Sequence, residues 1–427
     1  MKHLVLTLFS LLFSAVNVCA QLTLERCQQL AQENYPAIKK YGLIDKSLEI
    51  ELSDINKSWL PSVTAYGQGT IQNVVPAFPS ALEDVLAQMG RKVRGIGKFQ
   101  YKIGVDVSQT IWDGGASKTQ REIVRSQEAV QQSGLEVEMY ALRQSVDNIY
   151  FAILLTEEQI MQSNQTLELL NANLDLLRSM LKNGTAMQSD VDMVQAQSLT
   201  LKQSIMQAES AVKSYRTLLS IYVGEDVSTQ NLVLPVADLP ASLSSDRPEL
   251  KLFDSRQKAL ETSQLMTNVA LMPKIGFFAQ AYYGYPGFDY FKSMMNRNLS
   301  FNILAGVRVS WNIDSFYTKK NKLAKTALDI DNINIEREMF LFNSRLQTES
   351  QLETLEGLKN VMQDDIQIIE LRGSVRKAAE SQLRNGIIDA TALLSKITDE
   401  NLARLMAKFH EIQYIQEIYK IKNTLNR

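Results

Sequence analysis

The chain is written twice. Asn183-Gly184 recurs as Asn385-Gly386, and Gly104, in the run Tyr101 to Ser108, recurs as Gly306 in Ile303 to Ser310, both at an offset of 202 residues. Earlier landmarks recur 212 residues apart: Leu60-Pro61 with Met272-Pro273, and Tyr35-Pro36 with Arg247-Pro248. The ten-residue difference falls between Pro61 and Gly104, so the first half carries the longer loop there. Each half reads helix, proline, strand, loop, strand, long helices. A doubled unit of this kind cannot bury its faces alone and is expected to stack or to oligomerise.

The helices are unusually long. No proline interrupts the pattern from Gly115 to Lys182, a stretch that reaches roughly 100 Å at about 1.5 Å per residue. Ile160, Leu167, Leu170, Leu174, Leu177 and Leu181 step by seven, three and four. Val191, Val194, Leu201, Ile205, Ala208, Val212, Tyr215 and Leu219 continue the heptad, with Ser198 in the gap. The break at Asn183-Gly184 suits a left-handed helix end, which predicts an antiparallel hairpin with its tip at 183–185. The second half repeats the device with a tip at 385–387, followed by Leu402, Leu405, Phe409, Ile412 and Tyr419. Thr23 is placed to cap a first helix running to about Trp59, which Pro61 ends.

The strands alternate. Phe99, Tyr101, Ile103, Val105, Val107 and Ile111 share one face of the second strand, against Gln100, Lys102, Gly104, Asp106, Ser108 and Thr110 on the other. The fourth strand sets Phe301, Ile303, Ala305, Val307, Val309, Trp311 and Ile313 against Ser300, Asn302, Gly306, Arg308, Ser310 and Asn312, with Leu304 the break. The third, from Pro273, is rich in aromatics. The expected organisation is therefore strands at about 61–112 and about 273–313 within a first repeat over 21–230 and a second over 246–427, joined by a linker at 224–245.

Residues 1–20 read as an export signal: Lys2, an apolar run from Leu4 to Val18, and Val18-Cys19-Ala20 before Gln21. Cys19 would be acylated in a lipoprotein reading, against which Val18 is bulky where such sites take a small residue. Beyond the signal only Cys27 remains, so no intrachain disulfide forms; its apolar helical setting makes it a small core residue. No later stretch offers about eighteen apolar residues in a row, which excludes a membrane-spanning helix. With 22% charged residues and a net charge of −2, no basic field points to nucleic acid. His410 is the one histidine after the signal, so the familiar zinc and histidine-dependent catalytic constellations are absent, no cofactor is implied, and the chain is not read as an enzyme. Asp364-Asp365 and Glu370 read as solvated charge, and Gly95-Ile96-Gly97 as a flexible loop.

Four amphipathic strands cannot close a barrel, for which about eight is the minimum, and open edges cannot face lipid. If the strands lie in a membrane, several chains must pool them.

With these pieces in order, the chain resembles the TolC family of outer-membrane efflux proteins over essentially its whole mature length. The matching series is Leu22-Thr23-Leu24-Glu25, Asn34-Tyr35-Pro36, Leu60-Pro61, Val107 to Gly115, Lys182-Asn183-Gly184, Asp246 to Leu250, Met272-Pro273 and Arg384-Asn385-Gly386. The resemblance implies a mainly α chain with membrane β: a homotrimer with a twelve-stranded barrel in the outer membrane of a Gram-negative bacterium, in contact with its lipid, and a long helical barrel in the periplasm. It implies a passive exit duct of a tripartite efflux or type I secretion system, loaded by a periplasmic adaptor and an inner-membrane pump of the RND, ABC or MFS type. The alternative is a soluble periplasmic coiled-coil scaffold.

By the same resemblance Asn183, Gly184, Thr185, Asn385, Gly386 and Ile387 are adaptor-contact tips, and Pro61, Pro273, Gly114 and Gly115 are helix–strand joints. Asp190, Asp389 and Ile388 are candidates for the periplasmic entrance. Two departures stand out. Asp314-Ser315-Phe316 replaces the glycine-rich joint Asp113-Gly114-Gly115, which predicts a stiffer second joint. The paired aspartates of the family's best-known tunnels fall here on Ala392 and Ser395, with Asp389 one turn nearer the tip, and the arginine that would meet Asp190 is Ile388.

Overall fold

The computed structural model describes residues 22–91 and 95–427; the export signal, Cys19 and the cleavage point before Gln21 lie outside them. In chain order the elements are α1 (Leu24–Asn34), a 3-10 turn (Pro36–Ile38), α2 (Lys39–Lys57), β1 (Ser62–Ile71), α3 (Ser80–Gln88), β2 (Phe99–Trp112), α4 (Ala116–Lys182) and α5 (Gln188–Val223). They continue with α6 (Pro248–Val269), β3 (Lys274–Tyr285), α7 (Tyr290–Met295), β4 (Ser300–Ser310), α8 (Ser315–Arg384) and α9 (Ala390–Leu425). None of the described helices is long and apolar enough to cross a membrane.

The first helix differs from the single element expected up to Trp59. Pro36 has no N–H to donate and its ring clashes with a continuing helix. The chain therefore passes through Tyr35 in an extended conformation and a 3-10 turn before α2 begins. Thr23 caps α1 as expected, its hydroxyl accepting from the Arg26 amide.

The chain divides into two compact units. One comprises the described residues up to Tyr41, with Ser133–Leu252 and Ile335–Arg427. Its hairpin core is built from heptad residues: Leu170, Leu174 and Leu177 of α4, Val191 and Val194 of α5, Ala379 and Leu383 of α8, and Leu393 and Ile397 of α9. Ser198, the polar gap in the heptad, is buried and donates to Asn171 at 3.1 Å. Elsewhere Tyr150 and Phe151 are fully buried, and Phe151 packs on Tyr419 with ring centroids 5.7 Å apart. The segment after Gly224 has no helix, but it is not loose. Val227 and Leu232 are buried, Leu232 bridges to Leu22, and the Tyr150 hydroxyl lies 2.8 Å from the carbonyls of both Leu22 and Val233. Cys27 is a core residue as expected; burial, aided by the charges of Glu25 and Asp147, pushes its thiol up to about 12.

The other unit comprises Gly42–Gln132 and Phe253–Asn334 and holds an antiparallel sheet in the order β1-β2-β3-β4. Opposed residues keep one face throughout: Ala65 pairs with Val105, Val105 with Ala281, and Ala281 with Ile303. Gly95-Ile96-Gly97 is packed rather than free. Ile96 is buried with Tyr285 and Met294, and the Gly97 amide donates to the Tyr285 hydroxyl at 2.7 Å.

Candidate functional site

The sheet inverts the usual burial of a soluble protein. Its apolar face carries Val63, Val105, Ala279, Ala281, Val307 and Val309, in register across all four strands. That face is open: Ile103, Ile303 and Val307 are 63–66% exposed. The opposite face, bearing Tyr66, Lys102, Asp106, Gln280 and Asn302, is the more covered, with Asn302 buried. There Gln280 donates to Asp106 at 2.8 Å and to the Tyr66 hydroxyl at 3.1 Å. Among the described residues, the edge strands β1 and β4 each have one unpaired side.

The recurrent glycines of the strands make room on the polar face. A Cβ at Gly104 would lie 2.6 Å from the Ala281 carbonyl oxygen and 2.7 Å from Tyr282 Cβ. At Gly306 it would meet the Phe278 ring at 3.1 Å. Glycine lets an aromatic ring from the next strand lie flat on the backbone.

The two helix–strand joints solve one problem differently. After β2, Gly114 and Gly115 both take positive φ, and Met272 fills the space where a Gly114 side chain would go. Asp113 accepts from the amides of Gly115 (2.8 Å) and Ser117 (2.6 Å). Partial burial raises its pKa, but the hydrogen bonds from Ser117 and Gly115 outweigh that and hold the carboxyl below its ordinary value. At the joint between β4 and α8 no residue takes positive φ. Instead the Trp311 indole donates to the Leu271 carbonyl at 2.9 Å and packs edge-on against Phe316. Pro61 and Pro273 stand at the helix-to-strand passages before β1 and β3.

Both hairpin tips are Schellman turns. Gly184 has φ 71°, with Gly184 N–H to Leu181 and Thr185 N–H to Met180 carbonyls. Gly386 has φ 67°, with the equivalent bonds to Leu383 and, from Ile387, to Gln382. Left-handed φ favours glycine at the residue after the helix cap. Asn183 and Asn385 precede these turns, and the Asn385 side chain donates to the Ser381 carbonyl. The structure brings the tips together: they share one hydrophobic cluster, and Thr391 lies 3.5 Å from the Met193 sulfur. Ile388 packs half-buried on that cluster, while Ile387 is exposed. The candidate acids end the helices. Asp190 accepts from the Met187 amide at 2.9 Å, and Asp389 caps α9 by accepting from Ala392 at 2.8 Å. Carboxylates favour helix N-termini.

Two features escaped the sequence reading. Asp365, expected to be solvated, is buried and lies 2.9 Å from His410 Nδ1. Glu400, also buried, pairs with Arg376 and Arg404, and Arg376 pairs with Glu380. Burial raises the Glu400 pKa, but its bonds to Arg404 and Arg376 outweigh that and hold it below its ordinary value. Both networks sit at i, i+4 or cross-helix spacings that single-helix patterns do not reveal. Among the described residues no cluster of histidine, cysteine and carboxylates could hold a metal.

Residues 48–225, from α2 through both first-half strands to the end of α5, match the family model described as outer membrane efflux protein. Over that span, which is less than half of the chain, the sequence is similar to the outer membrane efflux protein family. Comparison with curated proteins gives no match. Among solved structures, the chain is similar over 94% of its length to the outer membrane protein VceC from Vibrio cholerae, covering 95% of that chain at 11% identity with a TM-score of 0.69. The MtrE outer membrane channel of Neisseria gonorrhoeae, in its open state, matches over 94% of this chain and 88% of its own at 14% identity and a TM-score of 0.67. For the CmeC outer membrane channel of Campylobacter jejuni the coverage is 94% and 85%, the identity 14% and the TM-score 0.65. At these identities the likeness is one of fold: mostly helical, with a four-stranded antiparallel sheet.

Proposed function

We propose that three copies of this chain assemble into a passive duct across the outer membrane of a Gram-negative bacterium, with the helical hairpins extending into the periplasm. The observation that carries this reading is the inverted sheet: an open apolar face, a covered polar face and two unpaired edges. Lipid tolerates the first, water inside a pore suits the second, and unpaired edges are costly in hydrocarbon unless closed by neighbours. Three sheets of four strands pool twelve, more than the roughly eight that close a filled barrel, which leaves a lumen. The two halves then serve as pseudo-equivalent wall segments. Cargo reaches the duct from a periplasmic adaptor and an inner-membrane pump of the RND, ABC or MFS type.

The tips at Gly184 and Gly386 are the adaptor contact in this reading. Gly386→Trp is expected to leave the trimer intact and abolish adaptor crosslinking and efflux. A lower trimer yield with normal crosslinking per trimer would reduce the glycine to a turn former. Asp190 and Asp389 line the periplasmic entrance, where repeated carboxylates bind cations. Asp190→Asn and Asp389→Asn are expected to weaken block by trivalent cations. If both act as caps alone, stability falls and block is unchanged, and the gate passes to apolar neighbours such as Ile388.

Fractionation with unheated gel electrophoresis tests the whole reading. A duct runs as a heat-sensitive trimer from the outer membrane. A soluble periplasmic scaffold, the alternative, runs from the soluble fraction, and it leaves the open apolar face of the sheet without a role.

A further inference from the structure

We infer that the strand-lined part of the duct selects anions, at a station formed by Lys102 between the rings of Tyr66 and Tyr282. This rests on the reading of the polar sheet face as lumen. The alternation and the register place four charged side chains on that face: Lys102, Lys274 and Arg308 against the single carboxylate of Asp106. Asp106 is engaged by the Gln280 amide at 2.8 Å. It stands four residues along the same strand from Lys102, roughly 13 Å at about 3.3 Å per residue, too far to neutralise it. Among the described residues no carboxylate forms an ion pair with Lys102.

The station is built by the strands around it. Gly104 lies between Tyr66 and Tyr282 in the ladder, and Gly284 lies opposite Lys102. With no side chain at either glycine, the two rings close in until the Lys102 ammonium stands 5.6 Å and 5.4 Å from their centroids. The β3–β4 connection then folds onto the same face. The Phe288 amide donates to Asn302 at 2.8 Å, the Phe288 ring meets Tyr282 edge-on at 5.3 Å, and the Tyr282 hydroxyl donates to the Pro286 carbonyl at 3.1 Å. What remains beside Lys102 is a recess of about 250 Å³, lined by Thr70, Gln72, Gln100, Tyr282 and Tyr290. Nearer the helix end of the sheet, Arg308 lies over the Phe278 ring at 4.8 Å and repeats the arrangement.

A cation held against π faces keeps its charge while losing part of its water. Rings of lysine or arginine in a narrow pore favour anions, because like charges focus the local potential. The ligands of this station are small inorganic anions and organic molecules bearing a carboxylate or sulfonate.

The test is the reversal potential of the assembled full chain in planar bilayers under a KCl gradient. The unaltered channel is expected to prefer chloride. Lys102→Gln should lower the chloride-to-potassium permeability ratio by about threefold or more, Lys102→Glu should turn the preference toward potassium, and Lys102→Arg should keep it. Where Lys102→Glu fails to assemble, Lys102→Gln decides. Asp190→Asn with Asp389→Asn, which removes carboxylates that favour cations at the entrance, should raise that ratio, opposite in sign to Lys102→Gln. A potassium-selective unaltered channel, or a ratio unmoved by Lys102→Gln, overturns the inference while the duct stands. Correctly assembled protein without conductance overturns the duct reading itself, and the inference with it.

Discussion

Two helices of nearly equal length, α4 with 67 residues and α8 with 70, treat their apolar side chains in opposite ways. Along α4 the large hydrophobics are covered: Leu135, Leu142, Val146, Tyr150, Phe151 and Ile153 are buried, and Met161 is its single exposed one. Along α8 a stripe of Leu328, Ile335, Met339, Phe342 and Leu346 stands exposed, at steps of seven, four, three and four. Those steps are a heptad seam without a seam partner in this chain. Helices of nearly equal length therefore have different addresses. α4 is covered within its own chain, in part by α9, and α8 leaves a face that a neighbouring copy would cover in the proposed assembly.

Substitution at matched aromatic positions gives the largest test of that contrast. Phe151→Ala empties a fully buried site and should cost about 3–5 kcal/mol, read as a lower denaturant midpoint of the chain. Phe342→Ala, at a side chain 64% exposed, should leave the fold of each chain intact and reduce the fraction that survives as trimer in unheated gels. Equal losses of chain stability at both sites would erase the distinction between a covered helix and an open one.

The two faces of the sheet offer a second contrast. Val307→Arg or Val105→Arg on the open face should cost roughly 2–4 kcal/mol of insertion, against little for Ser310→Arg or Ser108→Arg on the polar face. Outer-membrane trimer yield measures the difference, and equal yields for both pairs would show that the faces are wrongly assigned.

A smaller effect separates the hairpins by pH. The folded Glu400 carboxyl titrates below its ordinary value of 4.5. The stability it lends is therefore fully present above that value and lost as pH falls through the depressed folded pKa. Amide exchange in α9 around Glu400 should accelerate on acidification, while the α4–α5 tip around Leu170 and Val191, where no described carboxylate is buried, should change less. Glu400→Gln should cost roughly 1.5–3 kcal/mol at neutral pH and flatten that dependence. Smallest of all, Gly184→Ala and Gly386→Ala should each cost about 1–2 kcal/mol, because both sites have left-handed φ with open space around them. Unequal costs would mean the two tips are not equivalent turns.

Much of this was legible beforehand because it is local. Alternation named both faces of β2 and of β4, including Lys102 and Arg308 among the polar residues, without assigning either a task. Asn183-Gly184 and Asn385-Gly386 announced the turns because a left-handed position has few solutions. Other elements were misread where distant partners decide. Leu402 fits a heptad yet is 55% exposed, because a seam position is buried only where another helix faces it. Asp365 looked solvated until His410, 45 residues away, came to lie beside it. The stripe on α8 carried the same spacing as α4 and went unnoticed, since periodicity does not say which stripe will find a partner.

The sequence alone determined periods and breaks: where the long helices run, where prolines and glycines end them, and which strand residues alternate. Each follows from φ/ψ preference and side-chain spacing within a few residues. Only the tertiary structure decided the strand order β1-β2-β3-β4, the placement of Lys102 between two rings, and the pairing of Glu400 with Arg376. These depend on which residues the fold brings within a few ångströms across long separations, and short-range spacing does not encode that.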